Sequence, residues 1–289
     1  PLVKPTSTNT YSVTVIDNNA CVNTSSFVLK VNPLPSIVMT ADTTICVNAS
    51  VLLKGSGGEA YEWKQGDGKT IAYINTINVK PSITSTYFLK VTSNKGCSNI
   101  DTMVVSVNPL PILTVNADTF ICRYDSAQLN VSGASTYVWS PATNLSATNI
   151  STPKASPSSN VLYTVVGTDA NGCKNTATTN VYVRQLPKVT TTGNTAICIN
   201  DSAYIGANGA VSYSWSPANG IKDVKEKVMY VNPTATTNYA VTGTDEYGCK
   251  AKKTLKVTVY PLPVVSITKD TNICFGKTIN MSATGGDKY

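Results

Sequence analysis

Tyr163-Thr164-Val165-Val166-Gly167-Thr168-Asp169-Ala170-Asn171-Gly172-Cys173 reads as a strand running into a tight turn. Tyr163 to Gly167 has the aromatic and β-branched make-up of a strand. In Asp169-Ala170-Asn171-Gly172 the Asn-Gly pair readily takes the left-handed conformations of a hairpin turn. Thr178 to Val183 then alternates as a closing strand. Upstream, Tyr137-Val138-Trp139 puts two large aromatics on one face, and a Ser-Pro-Ala-Thr-Asn loop follows. Gln128 to Ser132 alternates, with Leu129 and Val131 on one face. Ile112 to Val115 begins just after a proline, as a first strand would. Roughly seven short strands with turn signals and no helical period predict a small immunoglobulin-like β-sandwich.

The pattern returns every 76 residues. Pro33-Leu34-Pro35 recurs as Pro109-Leu110-Pro111, Gln185-Leu186-Pro187 and Pro261-Leu262-Pro263. Trp63, Trp139 and Trp215 keep the step, as do Tyr11, Tyr87, Tyr163 and Tyr239. The cysteines form two series: Cys46, Cys122, Cys198, Cys274 and Cys21, Cys97, Cys173, Cys249. A strict internal period marks an array. The expected fold is all-β, tandem immunoglobulin-like sandwiches in a linear rod. Three complete repeats span 36–111, 112–187 and 188–263. Pro1 aligns with Ile77 and Tyr289 with Tyr213, so partial repeats are expected at 1–35 and 264–289. Trp63, Trp139 and Trp215 read as core on the third strand rather than as exposed sugar platforms. Tyr87, Tyr163 and Tyr239 are also core candidates, each expected to anchor the preceding loop through its hydroxyl. Proline stops each closing strand and keeps the joint short and extended.

Composition excludes several functions. The chain holds 289 residues, 42% of them apolar, so cores are possible, but only 13% are charged. Ser, Thr and Asn fill the gap, a balance common on extracellular β-proteins. The net charge of +7 comes from scattered Lys and Arg, without the clustered footprint of nucleic-acid binding. No histidine is present. This removes His bases, His metal ligands and Ser-His-Asp relays, and no CxxC pair suggests zinc. Catalytic, cofactor and metal sites are therefore not expected, and neither is direct membrane insertion. Pro1-Leu2-Val3-Lys4 lacks the apolar segment of a signal peptide, so an upstream segment is expected.

Eight cysteines without metal-ligand spacing point to disulfides and an oxidising compartment. Two pairings are open. Within repeats, Cys46 would join Cys97, Cys122 Cys173, and Cys198 Cys249. But Cys122 lies in the first turn, before the second strand, and Cys173 in the last hairpin, after the sixth. In such a sandwich those strands run the same way, which leaves the two cysteines roughly 23 Å apart, beyond disulfide reach. Across joints, Cys46 would join Cys173 and Cys122 would join Cys249. Cys21, Cys97, Cys198 and Cys274 would then pair outside the chain. Strand direction favours the second scheme.

The strings Ile121-Cys122, Gln128-Leu129-Asn130-Val131, Tyr137-Val138-Trp139-Ser140-Pro141-Ala142-Thr143 and Tyr163 to Cys173 resemble repeats of giant cell-surface adhesins of Bacteroidota, among them SprB-like gliding-motility adhesins. The resemblance covers the whole chain. It implies export by the type IX system and display as long filaments attached at the outer membrane. It also implies candidate O-glycosylation at Asp-Ser/Thr sites: Thr43, Thr102, Ser126 and Ser202. Repeat one departs, with Trp63-Lys64-Gln65-Gly66-Asp67 in place of Trp-Ser-Pro-Ala, and Ser93 where the later hairpins have Asp169 and Asp245. That departure weighs against calcium and leaves turn chemistry as the aspartates' simplest role. The leading expectation is a structural and adhesive stalk whose partners are further repeats and surface polysaccharide. The alternatives are a spacer array in a secreted multidomain enzyme, or a weak multivalent glycan-binding array using the variable segments 64–76, 140–152 and 216–228.

Overall fold

A computed structural model describes residues 2–218, 221 and 223–288. These residues form strands, turns and loops, with no helix among them. No helix is therefore long and apolar enough to cross a membrane.

Each complete repeat is a two-sheet sandwich with its own core. In 112–187 one sheet runs Thr119–Cys122, Lys174–Arg184, Val161–Thr168, Thr136–Ser140 in spatial order. Facing it are two short antiparallel pairs, Thr114–Val115 with Val131–Ser132 and Ala127–Gln128 with Lys154–Ala155. Repeat 188–263 has the same four-strand order, Ala196–Cys198, Lys250–Tyr260, Thr237–Thr244, Ser212–Ser216. Its opposing sheet is three-stranded: Thr190–Gly193, Ala203–Asn208, Val228–Val231. Repeat 36–111 adds Thr70–Ala72 at one edge of its larger sheet. The partial repeats hold one hairpin each, Asn9–Ile16 with Val22–Leu29 and Ser266–Ile267 with Ala283–Thr284.

Alternation sets the inner faces. Along Val161–Thr168, Tyr163, Val165 and Gly167 point inward and are buried, and their neighbours are less covered. This is the period of two that a half-buried strand requires. Trp63, Trp139 and Trp215 are at most 3% exposed and belong to three separate core clusters. Tyr87, Tyr163 and Tyr239 belong to the same clusters.

A periodic glycine lets the first strand close on the sandwich. Gly57, Gly133, Gly209 and Gly285 all have positive φ, between 92° and 114°. A Cβ on Gly133 would strike the Ile112 carbonyl, and one on Gly57 or Gly209 would strike the Ser36 or Lys188 carbonyl.

Several local expectations differ from the structure. The strand expected over 112–115 is confined to Thr114–Val115, because proline-led residues before it follow the joint. The strand expected over 128–132 is split: Leu129 donates its N–H to Pro153, next in register after the Gln128–Lys154 pair, but proline has no N–H to return. Cys122 does not sit in a turn but ends the strand Thr119–Cys122, which lies parallel to Lys174–Arg184. The parallel partner had no turn signal of its own to announce it.

Candidate functional site

The joints carry the chain's chemistry. The parallel strands place Cys46 beside Asn108, Cys122 beside Arg184 and Cys198 beside Tyr260, each at the end of its closing strand. The last hairpin of the next repeat comes to the same place. Cys46 is bonded to Cys173 with Cα atoms 5.5 Å apart. Cys122 is bonded to Cys249, also at 5.5 Å. Each bond spans a joint and closes 127 residues of sequence.

The hairpins present their cysteines by side-chain capping. Asp169 Oδ1 accepts the N–H of Asn171 and of Cys173, both at 2.8 Å. Asp245 accepts those of Tyr247 and Cys249 in the same way, and Asp17 those of Asn19 and Cys21. In repeat one, Ser93 Oγ accepts only the Lys95 N–H, at 3.4 Å. The aspartates thus act as turn acceptors. Among the described residues no group of three or more His, Cys, Asp or Glu gathers to hold a metal. Cys173 and Cys249 are fully buried by the joint. Cys21, Cys198 and Cys274 are exposed thiols and Cys97 is half-buried. The Cys97 thiol faces the Asn32 carbonyl at 3.8 Å, at the joint that precedes its repeat.

The joints are not identical. Asn99 donates its side-chain amide to the Pro35 carbonyl at 3.2 Å, and Asn175 to that of Pro111 at 2.9 Å. The third repeat has Ala251 at this position. There the joint is held by charge and aromatics instead. The Arg184 guanidinium lies between Phe120, 4.7 Å from the ring centroid, and Tyr247 of the next repeat, 3.5 Å away. Arg123 donates to Gln185 Oε1 at 3.1 Å, tying down the residue that replaces the first proline.

At the other sites, Thr43 is half-buried in the strand Thr43–Cys46 and Thr102 is exposed on Ser98–Asn108. Ser126 is half-buried, and Ser202 is exposed with its Oγ accepting from Asn232 at 2.7 Å. Of the variable segments, 216–228 contains Asn219, Gly220 and Lys222, which lie outside the described residues. Sequence reasoning missed how these segments are pinned. Trp63, Trp139 and Trp215 donate their indole N–H to the carbonyls of Ile74, Ile150 and Glu226, at 2.9–3.0 Å. The shared spacing of eleven residues was the available signal. The Tyr163 hydroxyl holds Thr143, in the Ser-Pro-Ala-Thr loop, at 3.3 Å, not the loop preceding its own strand. Burial pushes the Tyr87, Tyr163 and Tyr239 hydroxyls above the usual phenol range.

No family profile and no curated protein sequence matches the chain. Solved structures resemble it at low identity. A Ca2+-stabilized adhesin that helps an Antarctic bacterium reach out and bind ice is 12% identical, with 88% of this chain and 82% of that one covered and a TM-score of 0.37. A 1.5-MDa bacterial ice-binding adhesin is 13% identical over 79% of this chain and 99% of that one, with a TM-score of 0.29. Sidekick-1 immunoglobulin domains 1–5 are 11% identical over 90% of this chain and 68% of theirs, also with a TM-score of 0.29.

Proposed function

We propose that the chain is a stalk segment of an extracellular cell-surface filament, a force-transmitting array that displays an adhesive part away from the cell. The observation that carries this reading is the position of the disulfides. Both cross joints, where they lock neighbours, instead of bracing single domains. Short proline joints, a strict period and disulfides suited to an oxidising compartment support it. In this reading Cys21, Cys97, Cys198 and Cys274 bond to repeats beyond the residues present. The finer reading, from the sequence resemblance, is a gliding-motility adhesin exported by the type IX system.

Live-cell labelling with a fluorescent antibody against repeat 112–187 tests the role. Label travelling along the cell body supports a motility adhesin. Static surface fibres support an attachment filament, and label found only in the medium removes the stalk in favour of a spacer in a released enzyme. Peptide mapping without reduction tests the joints: a Cys122–Cys173 crosslink would overturn them.

A further inference from the structure

Repeat 36–111 leaves open a space that repeat 112–187 fills. After Trp139 the chain loops so that the Thr143 carbonyl accepts the Tyr163 hydroxyl. After Trp63 it turns back at once, pairing Thr70–Ala72 with Trp63 and Lys64. Tyr87, the counterpart of Tyr163, is 3% exposed, and its hydroxyl has no hydrogen-bond partner among the described residues. Tyr87 lines a cleft of about 490 Å³.

The cleft lies between the edge strand Thr70–Ala72 of one sheet and the edge strand Thr76–Val79 of the other. Gln65, cross-strand partner of Tyr87, supplies an amide on the same inner face, and Asn78, exposed on the edge strand, borders the cleft. Ile71 and Ile74 form an apolar wall. Lys80 stands at the cleft, and among the described residues its ammonium makes no ion pair. A few convergent polar groups against apolar side chains, in a volume of this order, are what a small-ligand site requires.

From these groups we infer that the cleft of repeat 36–111 binds an acidic saccharide, one or two uronic acid units long. The carboxylate meets Lys80, ring hydroxyls meet Tyr87 and Gln65, and the ring's C–H face lies on the isoleucines. A peptide adding to the edge of Thr76–Val79 is the weaker fit. Repeat 188–263 has an edge strand at the matching place, Val228–Val231, whereas the uncovered hydroxyl and the Gln65 amide, where repeat 112–187 has Pro141, set repeat 36–111 apart from 112–187. The site deepens the adhesive reading but does not support the stalk, which the labelling and mapping tests judge separately.

The test is a ligand-observed NMR titration of the whole oxidised chain with digalacturonate, galacturonate and cellobiose. Digalacturonate binds with a Kd on the order of 1 mM. Tyr87→Phe weakens it about tenfold, as loss of one buried hydrogen bond does. Lys80→Gln weakens it by a similar factor and removes its salt dependence. Tyr163→Phe, whose hydroxyl already has a protein partner, leaves binding unchanged. Digalacturonate binding above galacturonate marks a polysaccharide as the source, and equal binding marks a free sugar acid; both support the site. Binding of cellobiose equal to that of digalacturonate, no binding at all, or equal losses from Tyr87→Phe and Tyr163→Phe would each overturn it.

Discussion

When one repeat unfolds under tension, the cross-joint disulfides should prevent almost all of its lengthening. Consider repeat 112–187 pulled open between folded neighbours. Without disulfides, the backbone from Asn108, the end of one closing strand, to Thr190, the start of the next sandwich, carries the load. That is about 80 residues, which extend to nearly 280 Å at roughly 3.4 Å each. The folded repeat is about as long as its closing strand of 11 residues, or roughly 36 Å. The gain is therefore about 240 Å per unfolding event. With both bonds intact the load takes a shorter covalent path. It runs from Asn108 to Cys122 and across the disulfide to Cys249 in the folded third repeat. This tether is about 14 residues and reaches about 50 Å. The gain falls to some 10–15 Å, and the segment between Cys122 and Cys173 hangs as slack.

Single-molecule force spectroscopy of the chain, attached at both ends, reads this difference directly. In oxidising buffer, events from repeat 112–187 add only 10–15 Å or so of contour length, and after reduction they lengthen to about 240 Å. Cys122→Ser with Cys173→Ser reproduces the long steps without reductant. Long steps from the unreduced wild-type repeat would refute the reasoning, because they require a joint without its bond.

Other consequences concern single residues. Gly133→Ala forces a side chain onto a positive φ of 101° and against the Ile112 carbonyl; it should cost at least about 2 kcal/mol, or on the order of 10 °C in Tm for a domain of this size, read by Trp139 fluorescence on melting. Asp118 accepts hydrogen bonds from the Asn180 backbone and side chain, which hold its carboxyl below the usual carboxylate range. Its folded pKa is depressed, so its stabilisation is present above the unfolded pKa near 3.8 and lost as pH falls through the folded one. Acid denaturation of Asp118→Asn should lack this contribution, and an unchanged acid profile would remove the assignment. Arg184→Ala should weaken the joint between repeats 112–187 and 188–263 by about 0.5–2 kcal/mol; small-angle scattering of reduced protein should show a wider spread of interdomain angles, and of oxidised protein little change.

Much of the fold was legible because strands announce themselves by period. Tyr163 to Gly167 alternates cleanly, its Asn-Gly turn sits where the chain reverses, and the fixed step of the repeat multiplies each weak signal. Thr119–Cys122 was less legible. Its parallel pairing with Lys174–Arg184 is non-local, and a strand of four residues at a sheet edge carries too little pattern to register. Pro-Leu-Pro and the aspartate turns were visible as joints and hairpins, but not the Asn175 amide that holds Pro111 or the Arg184 guanidinium between Phe120 and Tyr247. Such contacts depend on how two folded domains abut. The cleft at Tyr87 was illegible for a related reason. The segment 64–76 could be seen to vary, but only packing shows that its early turn uncovers a hydroxyl.

A bond placed across a joint answers two physical demands together. A domain of about 76 residues buries little more than 60% of its unfolded surface and is marginal alone. Closing a loop of 127 residues in the unfolded chain stabilises by roughly 5 kcal/mol in the chain-entropy view. An intradomain bond from Cys122 to Cys173 would give part of that gain, but it would leave the proline joint as the sole covalent link between neighbours. In the arrangement present, repeat 112–187 has one bond at each end, to Cys46 before it and to Cys249 after it. Its own folding then ceases to be what holds the filament together, because the load passes around it. A repeat freed from that duty can tolerate a loosened side, and repeat 36–111, open at Tyr87, is where such a side is found.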